Sequence, residues 1–174
     1  MTFRDTRQRL ILALTMPIFA AGCAAPFMPP GVGPEVVIEE GFPTEFLTCP
    51  PGETANPDVR NIGAEGGELA TAGHRLTIPP SANAAQRAVV FRELPGERLG
   101  VEIEQQRAAS NALGRTATLW IDTRRCSSNA LGAREWFVWR MNPGNGPSQK
   151  LQTRRVGSWF VTQIDSTSGF IIAH

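Results

Sequence analysis

The sequence predicts an all-β fold, an antiparallel β-sandwich of about eight strands that follows a signal peptide and a Pro/Gly-rich tether. Three observations predict it. From Ile62 onward, apolar and polar residues alternate with period two in run after run. The runs are separated at short intervals by Gly, Pro, Asn and Ser clusters, PGE, PGNGP and STSG among them. No apolar stripe of helical period competes with them in that span.

Residues 1–22 read as an export signal. Arg4, Arg7 and Arg9 precede an apolar run from Leu10 to Ala21, and small residues lead on to Cys23. The run is shorter than the roughly 20 apolar residues that a membrane-spanning helix needs, and Pro17 interrupts it. The segment Ala20-Ala21-Gly22-Cys23 resembles the lipobox of bacterial lipoproteins, in which the cysteine thiol is diacylated and becomes the mature N-terminus. The resemblance implies lipidation of Cys23, although the position three before it is alanine where that family usually has leucine. An ordinary signal peptide cleaved nearby is the alternative. Ala24 stands where an aspartate would mark inner-membrane retention, so the expected location is the outer membrane, with the lipid anchor as the membrane contact.

Loss of residues 1–22 leaves 152 of the 174 residues, the size of one ordinary domain. It also takes three arginines and Asp5 from totals of 17 basic and 16 acidic residues, leaving 14 and 15 and a formal charge of −1. No basic excess remains to hold a nucleic-acid backbone. The pairs Arg124-Arg125 and Arg154-Arg155 accordingly read as solvated strand ends or turns. Residues 23–61 contain eight of the fourteen prolines, in PFMPPGVGPEVV and CPPGETANPDV, with little periodic apolar pattern. They read as a semi-rigid tether, within which Glu35 to Glu39 is a short run able to pack on the domain as an edge strand.

With Cys23 lipidated, Cys49 and Cys126 remain as an even pair in an exported chain, and a disulfide between them is the expected state. Closing so long a loop stabilises by on the order of 4 kcal/mol on the chain-entropy model. A nucleophilic or metal-binding thiol is the alternative, and it needs partners, yet His74 and His174 are the only histidines. Neither a metal site nor a cofactor is therefore read from the sequence.

The domain proper runs from Ile62 to His174. Its first stretch, IGAEGGELATAGHRLTIPP, has glycine clusters that a phosphate cradle would feed straight into a helix N-terminus. Here they lead into strand pattern and a double proline instead, which predicts a turn at Gly66-Gly67, a strand around Leu69, a turn at Ala72-Gly73 and a strand ending at Ile78. Next come RAVVFREL from Arg87, the alternation of Leu99, Val101 and Ile103 with Gly100, Glu102 and Glu104, and that of Ala117, Leu119 and Ile121 with Thr116, Thr118 and Asp122. EWFVWRM from Glu135, SWFVTQI from Ser158 and GFIIA from Gly169 complete the set. The pentapeptide SNALG occurs at Ser110 to Gly114 and again at Ser128 to Gly132, with unlike flanks, which fits shared turn chemistry better than a duplicated site.

These residues also resemble a known family. The patterns IGxEGGxL and GHxLxIP, with TCPPGE at Thr48, TLWIDTRRC at Thr118 and STSGFIIAH at Ser166, are similar to the ZU-five domain and its divergent relatives in bacterial exported lipoproteins. The resemblance runs from Cys49 to His174 and implies a β-sandwich and, from the animal members, a role in protein contact. Ser81-Ala82-Asn83 departs from the usual Gly-Ala-Leu, and Ser166-Thr167 from the usual His-Phe. Some members cleave their own backbone at a serine assisted by a preceding histidine. The matching Ser168 lacks both that histidine and the phenylalanine, which leaves no local group to take its proton.

No catalytic constellation emerges elsewhere. His74, with Asp122, Asp165 or Glu135 as partner, is the one candidate base, and at the start of a strand it reads as a turn or surface residue. Among the four tryptophans, Trp120 shares a face with Thr118 and Asp122, opposite Leu119 and Ile121, and is the candidate binding surface. Trp136 and Trp139 have opposite parity, so at least one belongs to the core, and Trp159 beside Phe160 is ambiguous. The expectation is a lipid-anchored cell-envelope protein with a non-enzymatic interaction or structural module and an envelope protein or glycan as partner. A carbohydrate-binding module using exposed tryptophan is one alternative, and an autoproteolytic or hydrolytic domain is another.

Overall fold

A computed structural model of the chain describes residues 42–174 apart from 53–54, 83–84, 107–109, 133, 143 and 145. The signal segment, Cys23 and the start of the tether lie outside the described residues.

The fold is the expected antiparallel sandwich, with eleven strands among the described residues: β1 (Asp58–Ile62), β2 (Gly67–Thr71), β3 (His74–Ile78), β4 (Arg87–Glu93), β5 (Gly100–Gln105), β6 (Ala112–Asp122), β7 (Phe137–Asn142), β8 (Gly146–Lys150), β9 (Thr153–Val156), β10 (Trp159–Ser166) and β11 (Gly169–Ala173), plus a helical turn α1 (Ser128–Leu131). One sheet has the order β1-β4-β5-β11-β7-β8 and the other β2-β3-β6-β10-β9. Alternation sets what lies between them. Leu69, Leu76, Phe91, Ile103, Leu119, Ile121, Phe170 and Ile172 all point inward and are buried. Full burial of such side chains contributes about 1.5–3 kcal/mol each.

The hairpin of β2 and β3 forms as the sequence predicts, pairing Leu69 with Leu76 and Thr71 with His74. Ala72 and Gly73 both take positive φ, 49° and 87°, which is the two-residue turn whose twist matches the flanking strands. Gly66, at φ 72°, passes so close to the carbonyls of Ile78 and Pro79 that a Cβ would collide with them. The glycines thus shape a sheet.

The inward faces are apolar in the middle and polar at both ends. On β4 the inward series is Arg87, Val89, Phe91, Glu93, and on β3 it is His74, Leu76, Ile78. At one mouth Arg115 donates to the carbonyls of Pro79 and Gly63, both at 2.7 Å, while Arg87 donates to Gln105 and to the carbonyl of Ala112. The other mouth holds His74 and Glu93 beneath the disulfide between Cys49 and Cys126, whose Cα atoms lie 4.6 Å apart.

The ordered sheet begins ahead of Ile62. Strand β1 starts at Asp58, and the segment before it also pairs: Leu47 N–H donates to the carbonyl of Ile172, Leu99 N–H to that of Leu47, and Thr44 N–H to that of His174. Strands β8 and β9 were not predicted either. Both are sheet edges rich in polar residues, where no alternation is enforced. The two SNALG copies diverge: the first runs into β6, and the second is α1, capped by the Ser127 side chain on Ala130 N–H. Context decides a sequence this short.

Candidate functional site

Trp120 lies where the parity of its strand places it, on the outer face of the five-stranded sheet, while Leu119 and Ile121 are fully buried. Cross-strand register then builds a site around it that the sequence alone could not assemble. One row across the sheet is Arg75, Trp120, Val161, Arg154; the next is Asp122, Trp159, Val156. The two indoles are half-buried and meet edge to face, with centroids 6.2 Å apart and planes at 87°. That is a favoured aromatic geometry, which holds both rings without covering them. Val161 is buried beneath them, and Val156 at the edge remains 39% exposed.

Charge surrounds this apolar corner. The Arg124 guanidinium sits 5.9 Å over the Trp159 ring while donating to the Asp122 carboxylate at 2.6 Å. Arg75 pairs with Glu68 at 3.4 Å. Arg154 has no ion-pair partner among the described residues. Tryptophan and arginine, here side by side on one sheet face, are among the residue types that dominate binding energy at interfaces.

His74 is not the surface residue expected at a strand start. It shares the inward parity of Leu76 and Ile78 and is only 1% exposed. Its Nδ1 accepts the Asp122 backbone N–H at 3.0 Å, so Nε2 carries the proton of the neutral ring. That Nε2 faces Glu93 at 3.9 Å, too far for a hydrogen bond, and Glu93 is ion-paired to Arg125. Burial pushes the Glu93 carboxyl upward, but the His74 Nε2–H directed at it and, above all by charge, the paired Arg125 guanidinium outweigh burial and hold the carboxyl below its ordinary value. Of the acids considered as partners of His74, Asp122 lends its backbone and gives its carboxylate to Arg124, Asp165 binds Arg140, and Glu135 offers its carbonyl to His174. The Cys49–Cys126 link pins Gly52 against Arg125, roofing this cluster.

Ser168 sits in the connection between β10 and β11, at a cleft of about 580 Å³ whose acidic lining residues are Glu102 and Glu104. Its hydroxyl donates to the carbonyl of Met141, which is no base. Both glutamates accept from the single guanidinium of Arg92, at 2.7 and 2.9 Å. A hydrolytic pair requires carboxyls on opposite sides of the bond to be cut. These two project from the same face of one strand. Among the described residues no three His, Cys, Asp or Glu side chains gather as a metal site would need.

Trp136 and Trp139 are both buried, but in different places. Trp136 belongs to the core between the sheets and donates to the carbonyl of Leu131, whereas Trp139 lies in a separate cluster with Ile171 and Ala173. No family model, curated protein or solved structure matches this chain.

Proposed function

We propose that the chain is an exported, lipid-anchored module of the cell envelope that binds without catalysis, presenting the outer face of its five-stranded sheet to an envelope protein. The observation that carries this reading is the Trp120–Trp159 corner, two part-exposed indoles beside Arg154 and Arg124 on a rigid sheet. The disulfide supports export, since such bonds persist in oxidising compartments. The resemblance to ZU-five domains and to lipobox sequences supports the sandwich as a contact module and Cys23 as the anchor. A glycan is the second reading, favoured by the perpendicular indoles, which offer one flat face for a sugar ring and a wall beside it.

The test is photo-crosslinking in intact cells, with benzoylphenylalanine in place of Trp120 and, as control, in place of exposed Glu104 on the other sheet. The proposal expects a discrete protein adduct from position 120 that disappears when Arg154 is changed to Glu, and none from position 104. An adduct sensitive to periodate rather than protease selects the glycan. Equal labelling from both positions, or none from 120, contradicts the binding face.

A further inference from the structure

Alternation breaks at one end of the sandwich, and it breaks toward charge. Arg87 on β4, Gln105 on β5 and Arg115 on β6 continue the inward parity of Val89, Ile103 and Ala117, so each stands where the pattern calls for an apolar residue. Between the sheets at this mouth lies a cavity of about 210 Å³. Ile62, Ile78, Val89 and Leu113, all buried, form its apolar walls, and Arg87 and Arg115 line it as well.

The two mouths treat their arginines differently. At the other one, the Arg125 guanidinium meets the Glu93 carboxylate. Here Arg115 donates to the carbonyls of Pro79 and Gly63, and its Nε is buried with no hydrogen-bond partner among the described residues. Arg87 donates to the Gln105 side-chain oxygen at 2.9 Å and to the Ala112 carbonyl at 3.3 Å, which are neutral acceptors again. Glu65 accepts the Gly63 N–H and pairs with neither arginine. A guanidinium is charged at every physiological pH, and neutral acceptors fix its position without cancelling that charge.

We propose that this mouth binds a small organic carboxylate, with the anion at the rim against Arg87 and Arg115 and a short apolar tail in the cavity among Ile62, Ile78, Val89 and Leu113. The planar fork of a guanidinium matches the two oxygens of a carboxylate. An inorganic anion would leave the apolar walls unused, and a hydrocarbon would leave the two charges unused. The cavity is smaller than the roughly 300–1,000 Å³ of pockets that enclose drug-sized ligands, so the tail is about as large as one aliphatic side chain. A free short-chain acid and the C-terminal residue of a peptide share this chemistry. The site opens between the sheets, whereas the Trp120 corner lies on an outer face, so the two are separate.

The full-length protein in detergent tests this, with isoleucine and leucine methyl groups labelled for NMR and 4-methylpentanoate as the titrant. The expected result is a saturable shift of the Ile62, Ile78 and Leu113 methyls, with none at Ile171 on the outer face of the six-stranded sheet. The uncharged 4-methylpentanamide should bind about tenfold more weakly or worse, and so should the acid to Arg87→Gln, a change at an exposed side chain. Arg115→Gln should abolish binding, and Arg87→Gln keeps the test decisive if that variant fails to fold. N-acetyl-leucine identifies the source: tighter binding than the free acid selects a peptide C-terminus, and weaker binding selects the free acid. No saturable shift, or equal binding of acid and amide, overturns the proposal. The same shifts with inorganic phosphate mean an adventitious ion only and overturn it too.

Discussion

Glu93 and Trp120 are single residues whose behaviour separates holding the fold from making a contact. Glu93 has its carboxyl held below the ordinary value, so it stabilises the native state above that value, and the stabilisation disappears as the pH falls through its folded pKa. Glu93→Gln should therefore cost about 1–3 kcal/mol at neutral pH, as loss of a charge-assisted bond that leaves Arg125 without its partner. The difference from wild type should shrink in urea titrations run well below the ordinary carboxylate value of 4.5. A difference that grows in acid would mean that the cluster is not ionised as described. Leu119 and Trp120 are neighbours on one strand with opposite duties. Leu119→Ala should cost about 2–5 kcal/mol, whereas Trp120→Ala should cost far less and instead abolish the adduct formed by benzoylphenylalanine placed at Val156, at the exposed edge of the same corner. Equal losses of stability would put Trp120 in the core.

At the level of elements, the turn between β2 and β3 contains a small, correctable strain. Ala72 takes positive φ where asparagine is the preferred residue, so Ala72→Asn should add about 0.5–1 kcal/mol, read as a raised thermal midpoint. The staple between Cys49 and Cys126 spans 77 residues and roofs the Glu93 cluster. Replacing both cysteines with serine should cost about 2–5 kcal/mol and should make the segment around Gly52 the first site of proteolysis. Much of this level was legible beforehand. Parity alone placed Leu119, Ile121 and Trp120, and glycine spacing located the hairpin. The same parity, extended from Leu76 and Ile78 back to His74, could have shown that the histidine turns inward. Strands β8 and β9 left no trace, because edge strands with polar side chains carry no alternation. The partner of Trp120 was equally invisible, since Trp159 lies 39 positions away and only the β6–β10 register brings it near.

At the scale of the whole molecule the structure shows a disulfide-stapled sandwich with a Trp120–Trp159 corner on one outer face, and the proposed function adds to it an acylated Cys23, a proline-rich spacer and a partner on that face. Net charge near zero and the absence of a basic stripe fit a partner recognised by contact rather than by long-range attraction. The central claim is that the protein exists in the envelope in this anchored, oxidised and uncut form. The most direct measurement is the intact mass of the native protein extracted from membranes, taken with and without reduction before alkylation. The account predicts a chain that starts at Cys23, carries acyl groups, ends at His174, and takes up two alkyl groups, on Cys49 and Cys126, only after reduction. An unacylated chain with free thiols would contradict the anchor and the staple together, and loss of the piece from Ser168 onward would contradict a module without catalysis.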